Sequence, residues 1–225
     1  MMALNLQHPI IYLITSGETR PDSSPASKDF HNILTLVRAA VEARVSLIQL
    51  REKKLPARTL YELALRSAAI TAGTDTRLLI NDRADIARAA HADGCHLTTR
   101  SVEASVIRRT FGAGFLIGVS THSLREAQKA RDDDADFAVF GPVFDTASKR
   151  IYGPPVGIEH LRETAQTLSP FPIIALGGIT LENAAETLRA GASGIAAIRL
   201  LSDSHNLKQT AEAIRKSGGK PLFPT

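Results

Sequence analysis

The stretch PIIALGGITLENAAETLRAGASGIAAI, residues 172–198, contains the pattern that decides the fold. Its first and last five residues, PIIAL and GIAAI, are continuous apolar runs, typical of strands whose two faces are both buried in a parallel sheet. Between them, LENAAETLRAGA (181–192) repeats apolar residues at three- and four-residue spacing, as an amphipathic helix does. The stretch is therefore predicted to form a strand, a helix and a second, parallel strand.

The same alternation recurs from one end of the chain to the other. The remaining strand candidates are IIYLI (10–14), VSLIQL (45–50), RLLIN (77–81), GCHL (94–97), FLIGV (115–119) and FAVFG (137–141). The remaining helix candidates are NILTLVRAAVEA (32–43), RTLYELALRSAAITA (58–72), ADIARAAHA (84–92), SVEASVIRRTF (101–111), SLREAQKARD (123–132), HLRETAQTL (160–168) and LKQTAEAIRK (207–216). Ser123 and Thr180 stand where helix N-caps belong, and Gly191 stands where a helix would end.

Eight strands and eight helices in strict order, in a chain of 225 residues, predict an α/β fold. The specific prediction is a single (β/α)8 (TIM) barrel domain over residues 1–225, with a parallel eight-stranded core. A doubly wound open sheet shows the same alternation but usually has fewer strands.

Composition excludes several classes of function. Hydrophobic residues make up 44% and charged residues 22%, as in a globular protein with a sizeable core. No apolar run approaches the roughly 18 residues of a membrane span, and the N-terminus lacks a targeting pattern. The single cysteine, Cys95, indicates a reducing compartment, so a cytoplasmic location is expected. A net charge of +4 with no Trp argues against a nucleic-acid surface and weakly for anionic small molecules.

Polar side chains follow the predicted strands, at the end of the barrel where active sites are built. In chain order they are Gln49, Arg51, Glu52, Lys53, Asn81, Asp82, Arg83, His96, residues 98–101, Ser120, Thr121, His122, Thr146, Ser148, Lys149, Gly177, Gly178 and Arg199. The four cations Arg51, Lys53, Lys149 and Arg199, with small hydroxyls and a Gly-Gly turn, are groups that bind phosphate oxygens. Since Arg199 stands apart beside the Gly-Gly turn, the sequence predicts small-molecule substrates with two anionic groups.

The GGIT stretch (177–180) opens a predicted helix directly after the seventh strand. Its glycines permit close approach of the backbone, and a helix N-terminus presents unpaired N–H groups to an anion. Barrels often bind phosphate at this position, so a phosphate site is favoured over a simple tight turn.

Asp82 allows two interpretations. It could pair with Arg83 or Arg51, or it could be an oxygen ligand of Mg²⁺ on a diphosphate, because Mg²⁺ takes one or two carboxylates along with phosphate oxygens. Cys95 and His96, by contrast, are adjacent on a strand and point to opposite faces, which disfavours a zinc site.

Seven motifs in order resemble the thiamine phosphate synthase/TenI superfamily, from the second strand to the eighth. They are QLREK (49–53), NDRADIA (81–87), DGCHL (93–97), IGVSTHS (117–123), FGPVFDTASK (140–149), ALGGIT (175–180) and GASGIAAI (191–198). The resemblance implies a transferase of thiamine biosynthesis that joins hydroxymethylpyrimidine diphosphate to thiazole phosphate and releases diphosphate. A pyrimidine-methyl cation would form and be captured by the thiazole nitrogen.

The resemblance also implies roles for individual residues. Those at the pyrimidine diphosphate would be Gln49, Arg51, Lys53, Asn81, Ser120 and Lys149, the three cations acting on the leaving diphosphate. Those at the thiazole phosphate would be Thr146, Ser148, Gly178, Ile198 and Arg199, with Gly177 in the same turn. Asp82 would be a ligand of Mg²⁺, the implied cofactor.

The chain departs from the family pattern in three places. Family synthases usually read HLGQxD after the fourth strand, and the aspartate is the second Mg²⁺ ligand; here Ser101 takes that position, beside Arg100. Arg199 replaces a common serine, and Thr15-Ser16 stands where an aspartate is common.

These departures leave two alternatives to the synthase. One is a TenI-type thiazole tautomerase, which is not expected to need Mg²⁺ and would use His122 as its acid/base. The other is a non-catalytic barrel that binds thiamine intermediates. The polar segments 16–29 and 145–157 are expected to be solvated loops or lids over the site. A homo-oligomer is compatible with the family.

Overall fold

The computed structural model describes residues 6–146 and 154–218, and these form a barrel of eight parallel strands closed in sequential order, with a helix after each strand. The strands are β1 Ile10–Ile14, β2 Leu47–Leu50, β3 Arg77–Asn81, β4 Gly94–Leu97, β5 Leu116–Thr121, β6 Phe137–Phe140, β7 Ile173–Leu176 and β8 Gly194–Ala197. The helices are α1 Lys28–Glu42, α2 Ala57–Thr71, α3 Ala84–Ala89, α4 Ala104–Phe111, α5 Leu124–Asp132, α6 Ile158–Leu168, α7 Leu181–Arg189 and α8 Leu207–Ser217. The predicted (β/α)8 barrel is confirmed.

The barrel is closed by β1, which pairs on one side with β2 and on the other with β8. Tyr12 lies opposite Leu47 and also opposite Ala196. Because all eight strands run in parallel, the loops that follow them meet at one rim. The polar residues predicted after the strands are therefore gathered at this rim, as far as they lie within the two described ranges.

Strand residues alternate between two cores. Side chains inside the barrel form one cluster, made of Ile10, Tyr12, Ile14, Leu47, Leu79, Phe137, Val139, Ile174 and Ala196. Side chains on the other face pack against the helices in a larger cluster that includes Cys95. His96, the next residue, is buried inside the barrel. The prediction that Cys95 and His96 point to opposite faces is confirmed.

Two helices end earlier than predicted, each just before a residue with a left-handed backbone conformation. α3 ends at Ala89 rather than residue 92, because His91 adopts φ 58. α7 ends at Arg189 rather than residue 192, because Gly191 adopts φ 100. A residue with positive φ, whether it is glycine or not, cannot continue a right-handed helix.

Two helices begin at residues other than those predicted, and side-chain hydrogen bonds explain the difference. α1 begins at Lys28, earlier than predicted, where the hydroxyls of Ser23 and Ser27 donate to Asp29 and hold the pKa of its carboxyl at about 2. α4 begins only at Ala104, because Ser101 folds back in a turn onto Thr98. The N-cap prediction for Ser123 is confirmed, since its hydroxyl accepts from the Glu126 N–H.

Arg108 of α4 ties together the rim opposite the site. Its guanidinium donates to the Asp136 carboxylate (2.8 Å) and to the carbonyls of Gly112, Phe115 and Asp134. Asp136 in turn accepts from the Ile117 N–H (2.7 Å). One side chain therefore holds the segments that lead into β5 and β6.

Replacing Arg108 with alanine is expected to lower the free energy of unfolding by about 3 kcal/mol, because it leaves a mostly buried carboxylate without its cation. Arg109, exposed on the same helix, is the matched control, and Arg109→Ala should cost less than about 0.5 kcal/mol. Urea denaturation followed by circular dichroism measures both. Equal, small losses would show that the Arg108–Asp136 pair contributes nothing.

Candidate active site

A chain of three hydrogen-bonded side chains leads from the barrel interior to the rim. His96 is 2% exposed, and its Nδ1 lies 3.2 Å from the Tyr12 hydroxyl while its Nε2 lies 2.8 Å from Ser120 Oγ. Gly118 makes this possible, since a Cβ there would lie 2.4 Å from the Phe137 ring and 2.8 Å from His96 Nδ1. Ser120 is thus oriented by groups beneath it.

Burial keeps the two inner members of this chain, Tyr12 and His96, neutral. Desolvation, with a smaller contribution from the Arg51 charge, lowers the pKa of His96 to about 3. Desolvation also raises the pKa of Tyr12 well above its ordinary value. If the Tyr12 phenol donates to Nδ1, the imidazole proton is on Nε2 and is donated to Ser120. The Ser120 hydroxyl proton is then available to a ligand at the rim.

The depressed pKa of His96 predicts acid instability. Between pH 6.5 and about pH 3 the unfolded chain binds a proton at this imidazole that the folded chain does not, so His96 makes stability fall as pH falls through this window. His96→Gln keeps a hydrogen-bonding group but cannot titrate. Urea unfolding between pH 4 and 7 should therefore show a weaker loss on acidification for the variant. An unchanged pH dependence would mean that His96 is not the group that titrates.

The ends of β2 and β3 are joined by an amide pair. Gln49 Nε2 donates to Asn81 Oδ1 at 3.0 Å, and Gln49 is 1% exposed whereas Asn81 is half-buried. Two residues on, the Arg51 N–H donates to Thr15 Oγ1 at 2.8 Å. The sequence-predicted residues Gln49, Asn81 and Arg51 therefore lie together at the ends of β2 and β3, with Gln49 buried.

Asp82 is exposed at the end of β3, with φ 60. Its backbone N–H donates to the His96 carbonyl, which fixes the left-handed turn. Arg83 pairs with Asp85 instead (2.6 and 2.9 Å), and among the described residues none forms an ion pair or hydrogen bond with the Asp82 carboxylate. The structure thus disfavours the interpretation that Asp82 serves an internal ion pair.

Ser101 is turned towards its own loop. Its Oγ accepts from the Thr98 N–H at 2.7 Å and lies 3.0 Å from Thr98 Oγ1. Over residues 6–146 and 154–218, no group of three or more His, Cys, Asp and Glu side chains is placed to hold a metal ion. Asp82 thus belongs to no such group within these ranges, and the Ser101 hydroxyl is engaged with Thr98.

The turn between β7 and α7 is closely packed. Gly177 and Gly178 have φ 101 and 65, and a Cβ on either would lie 2.6 Å from atoms of the 142–145 segment. Asn183 holds the turn from α7, accepting from the Thr180 N–H (2.9 Å) and donating to the Gly178 carbonyl (3.0 Å). Packing and side-chain hydrogen bonds therefore hold the backbone of this turn in place.

The end of β8 adds one cation to this side of the rim. Ile198 is partly exposed and leads into a 3-10 helix, Arg199–Leu201. The Arg199 side chain is exposed, and within the described ranges it has no ion-pair partner. Because β8 pairs with β7, Arg199 and the Gly177-Gly178 turn follow neighbouring strands, as predicted.

The structure also describes three other predicted residues. His122 is exposed, and its Nδ1 lies 3.1 Å from Glu126 on the first turn of α5. Lys53 is exposed after β2, and Thr146 is half-buried after β6. Ser148 and Lys149 lie outside the described residues.

Sequence reasoning missed Tyr12 and the contacts of Thr15 and Glu52, which support this part of the rim. Tyr12 had a detectable signal, because alternate residues of a barrel strand face inward and this one is polar at its tip. The contacts of Thr15 and Glu52 had none, because their partners come from distant parts of the chain: Thr15 contacts Arg51, and Glu52 contacts Thr19.

Comparison with known proteins identifies the family. A family model described as thiamine monophosphate synthase matches residues 12–201. A putative thiamine-phosphate synthase of Geobacter sulfurreducens is 46% identical over 183 residues, covering 81% of this chain and 85% of that protein. The chain belongs to the thiamine monophosphate synthase family. The resemblance inferred from the motifs is therefore confirmed.

Other members agree over more of the chain. Thiamine-phosphate synthase of Chlorobium luteolum is 37% identical over 212 residues, 94% of each protein. The solved structure of thiamine phosphate pyrophosphorylase from Pyrococcus furiosus superposes with a TM-score of 0.79 at 29% identity, covering 96% of this chain and 98% of that one. Within the part of this chain that the structure describes, no helix is long and apolar enough to cross a bilayer.

Proposed function

We propose that this chain is a thiamine-phosphate synthase, which joins hydroxymethylpyrimidine diphosphate to thiazole phosphate. In this reaction the bond between the pyrimidine methylene carbon and the diphosphate oxygen breaks, and the thiazole nitrogen forms a new bond to that carbon. Diphosphate leaves with the bonding electron pair. The curated relatives bear this activity in their names.

The observation that carries the proposal is that two regions of one rim hold residues suited to bind anions. The first lies at the ends of β2 and β3, where Gln49 bonds to Asn81 and Arg51 directly follows β2. The second lies at β7 and β8, with the Gly177-Gly178 turn and Arg199. A reaction between a diphosphate and a monophosphate needs two such regions, and holding both substrates in place converts an encounter into an effectively unimolecular step.

Each region would act through groups already oriented. The Arg51 and Lys53 cations would stabilise the charge that develops on the leaving diphosphate, and Lys149 is proposed for the same role from the sequence. Gln49, Asn81 and Ser120 would hydrogen-bond the pyrimidine substrate. The turn at Gly177, Gly178, with Thr146, Ser148, Ile198 and Arg199, would hold the thiazole phosphate.

Mg²⁺ fits this site as an ion that arrives with the diphosphate. Asp82 offers one free carboxylate, and Mg²⁺ commonly takes one or two carboxylates and fills its other positions with phosphate oxygens and water. Ser101 would have to break its hydrogen bond with Thr98 to take part. The ion, when bound, would supply further neutralisation of the leaving diphosphate.

The proposal is tested by mixing the purified protein with both substrates and MgCl₂, and measuring thiamine phosphate and diphosphate. Equal amounts of the two products are expected, and omission of thiazole phosphate should abolish thiamine phosphate. Absence of turnover, with both substrates shown by calorimetry to bind, would overturn the proposal. Metal-independent isomerisation of thiazole carboxylate phosphate that is lost in His122→Ala would identify a tautomerase instead.

A further inference from the structure

The buried carboxylate of Glu52 stands between two cations of the site. In the chain it separates Arg51, which is half-buried, from Lys53, which is exposed, yet Glu52 itself is only 2% exposed. Its side chain therefore leaves the rim and turns beneath the loop between β1 and α1. A buried carboxylate must be hydrogen-bonded to be tolerated.

The loop between β1 and α1 provides those hydrogen bonds. Glu52 Oε1 accepts from the Gly17 N–H (3.2 Å), and Oε2 accepts from the Thr19 N–H (3.3 Å) and the Thr19 hydroxyl (2.6 Å). Thr19 is 2% exposed, whereas its neighbours Glu18 and Arg20 are exposed. Residues 17–19 are thus bound to the end of β2 by three hydrogen bonds to one carboxylate.

The same loop packs against Arg51. Gly17 has φ 76, and a Cβ there would lie 3.0 Å from the Arg51 carbonyl and 3.4 Å from its Nη1. The Arg51 N–H is held by Thr15, two residues before Gly17. The loop and the Arg51 guanidinium therefore lie close together, and there is little space between them.

We infer that Glu52 and Thr19 form a latch that positions Arg51 for diphosphate. Neither residue needs to touch substrate: the latch fixes residues 17–19, and these residues confine the guanidinium from one side. The segment 16–29 was predicted to be a solvated loop or a lid. By this inference its residues 17–19 instead form a fixed wall of the site. The inference rests on the proposed function only for the identity of the diphosphate-bearing substrate.

The test uses Thr19→Val, which keeps the shape of the side chain and removes its hydroxyl, and Thr19→Ser, which keeps the hydroxyl. Glu52→Gln removes the charge of the acceptor. Glu18→Gln, in the same loop but exposed, is the matched control. Two measurements need no turnover: calorimetric binding of inorganic diphosphate, and hydrogen exchange of the Gly17 and Thr19 amides.

Thr19→Val and Glu52→Gln are expected to weaken inorganic diphosphate binding about tenfold, the effect of losing one charge-assisted hydrogen bond. Exchange at the two amides should accelerate in both variants. The KM for the pyrimidine diphosphate should rise more than kcat falls, whereas a purely structural loss would lower the amount of active enzyme and leave KM unchanged. Thr19→Ser and Glu18→Gln should resemble the wild type.

Faster exchange with unchanged diphosphate binding would overturn the inference, as would unchanged exchange in both variants. If Glu52→Gln does not fold, diphosphate binding and amide exchange in Thr19→Val are sufficient to test the inference. A wild-type chain that binds diphosphate but makes no thiamine phosphate would refute the proposed function and leave the latch in place. A chain that does neither would refute both.

Discussion

Replacing Gly178 with alanine is expected to raise the KM for thiazole phosphate about 10- to 100-fold and to lower the free energy of unfolding by about 3 kcal/mol. The added Cβ would lie 2.6 Å from the Asp145 carbonyl oxygen and 2.7 Å from Phe144 Cβ, distances that real Cβ atoms do not adopt. The turn must therefore shift, and the backbone N–H groups proposed to bind phosphate shift with it.

Gly73→Ala separates the clash from the backbone strain. Gly73 has φ 73, close to the φ 65 of Gly178, but nothing lies within 4 Å of a Cβ placed there. Gly73→Ala should lower the free energy of unfolding by about 1 kcal/mol, the penalty for an alanine in the left-handed conformation. It should leave the steady-state kinetics unchanged. Denaturation and steady-state kinetics with thiazole phosphate measure both variants. A normal KM in Gly178→Ala would exclude this turn as the phosphate site.

Replacing Asp82 with asparagine is expected to lower synthase turnover about 100- to 1,000-fold, because a carboxylate that holds Mg²⁺ on the diphosphate is worth several kcal/mol in the transition state. Stability should hardly change. Asp82 is exposed with φ 60, and asparagine is among the residues that tolerate this left-handed conformation best. The variant therefore removes the charge of the side chain without disturbing the fold of the protein.

The matched control is Asp85→Asn, an exposed carboxylate three residues away that pairs with Arg83. It should retain near wild-type turnover. Titration with MgCl₂ gives a second measurement: the wild type should need less Mg²⁺ for half-maximal activity than Asp82→Asn. Equal activity and equal Mg²⁺ dependence in the two proteins would remove Asp82 from the proposed metal site.

The sequence predicted the barrel because its signal is local and repeated. Each strand is a continuous apolar run and each helix an amphipathic repeat, so no single error could change the order of sixteen elements. Helix ends were less predictable. His91 ended α3 through its left-handed conformation, and Ser101 delayed α4 through a hydrogen bond to Thr98; neither effect leaves a pattern in the surrounding residues.

Site residues were predicted by position, not by contact. Knowing that a residue follows a strand places it on the rim, and this is how Gln49, Arg51 and Asp82 were found. Which groups they bond to depends on neighbouring strands that are distant in the chain. Asp82 illustrates the limit: the sequence offered Arg83 or Arg51 as its partner, but Arg83 pairs with Asp85, and no ion pair with Arg51 is formed among the described residues.

By itself, the sequence determined the order of strands and helices, the family and the rim on which the chemistry-bearing residues lie, because hydrophobic periodicity and motif order are properties of the chain alone. Tertiary structure decided which side chains support that rim. Tyr12, His96 and Ser120 come together from three strands, and Glu52 reaches Thr19 across 33 positions. Such contacts arise only when the sheet closes and burial forces each polar group to find a partner.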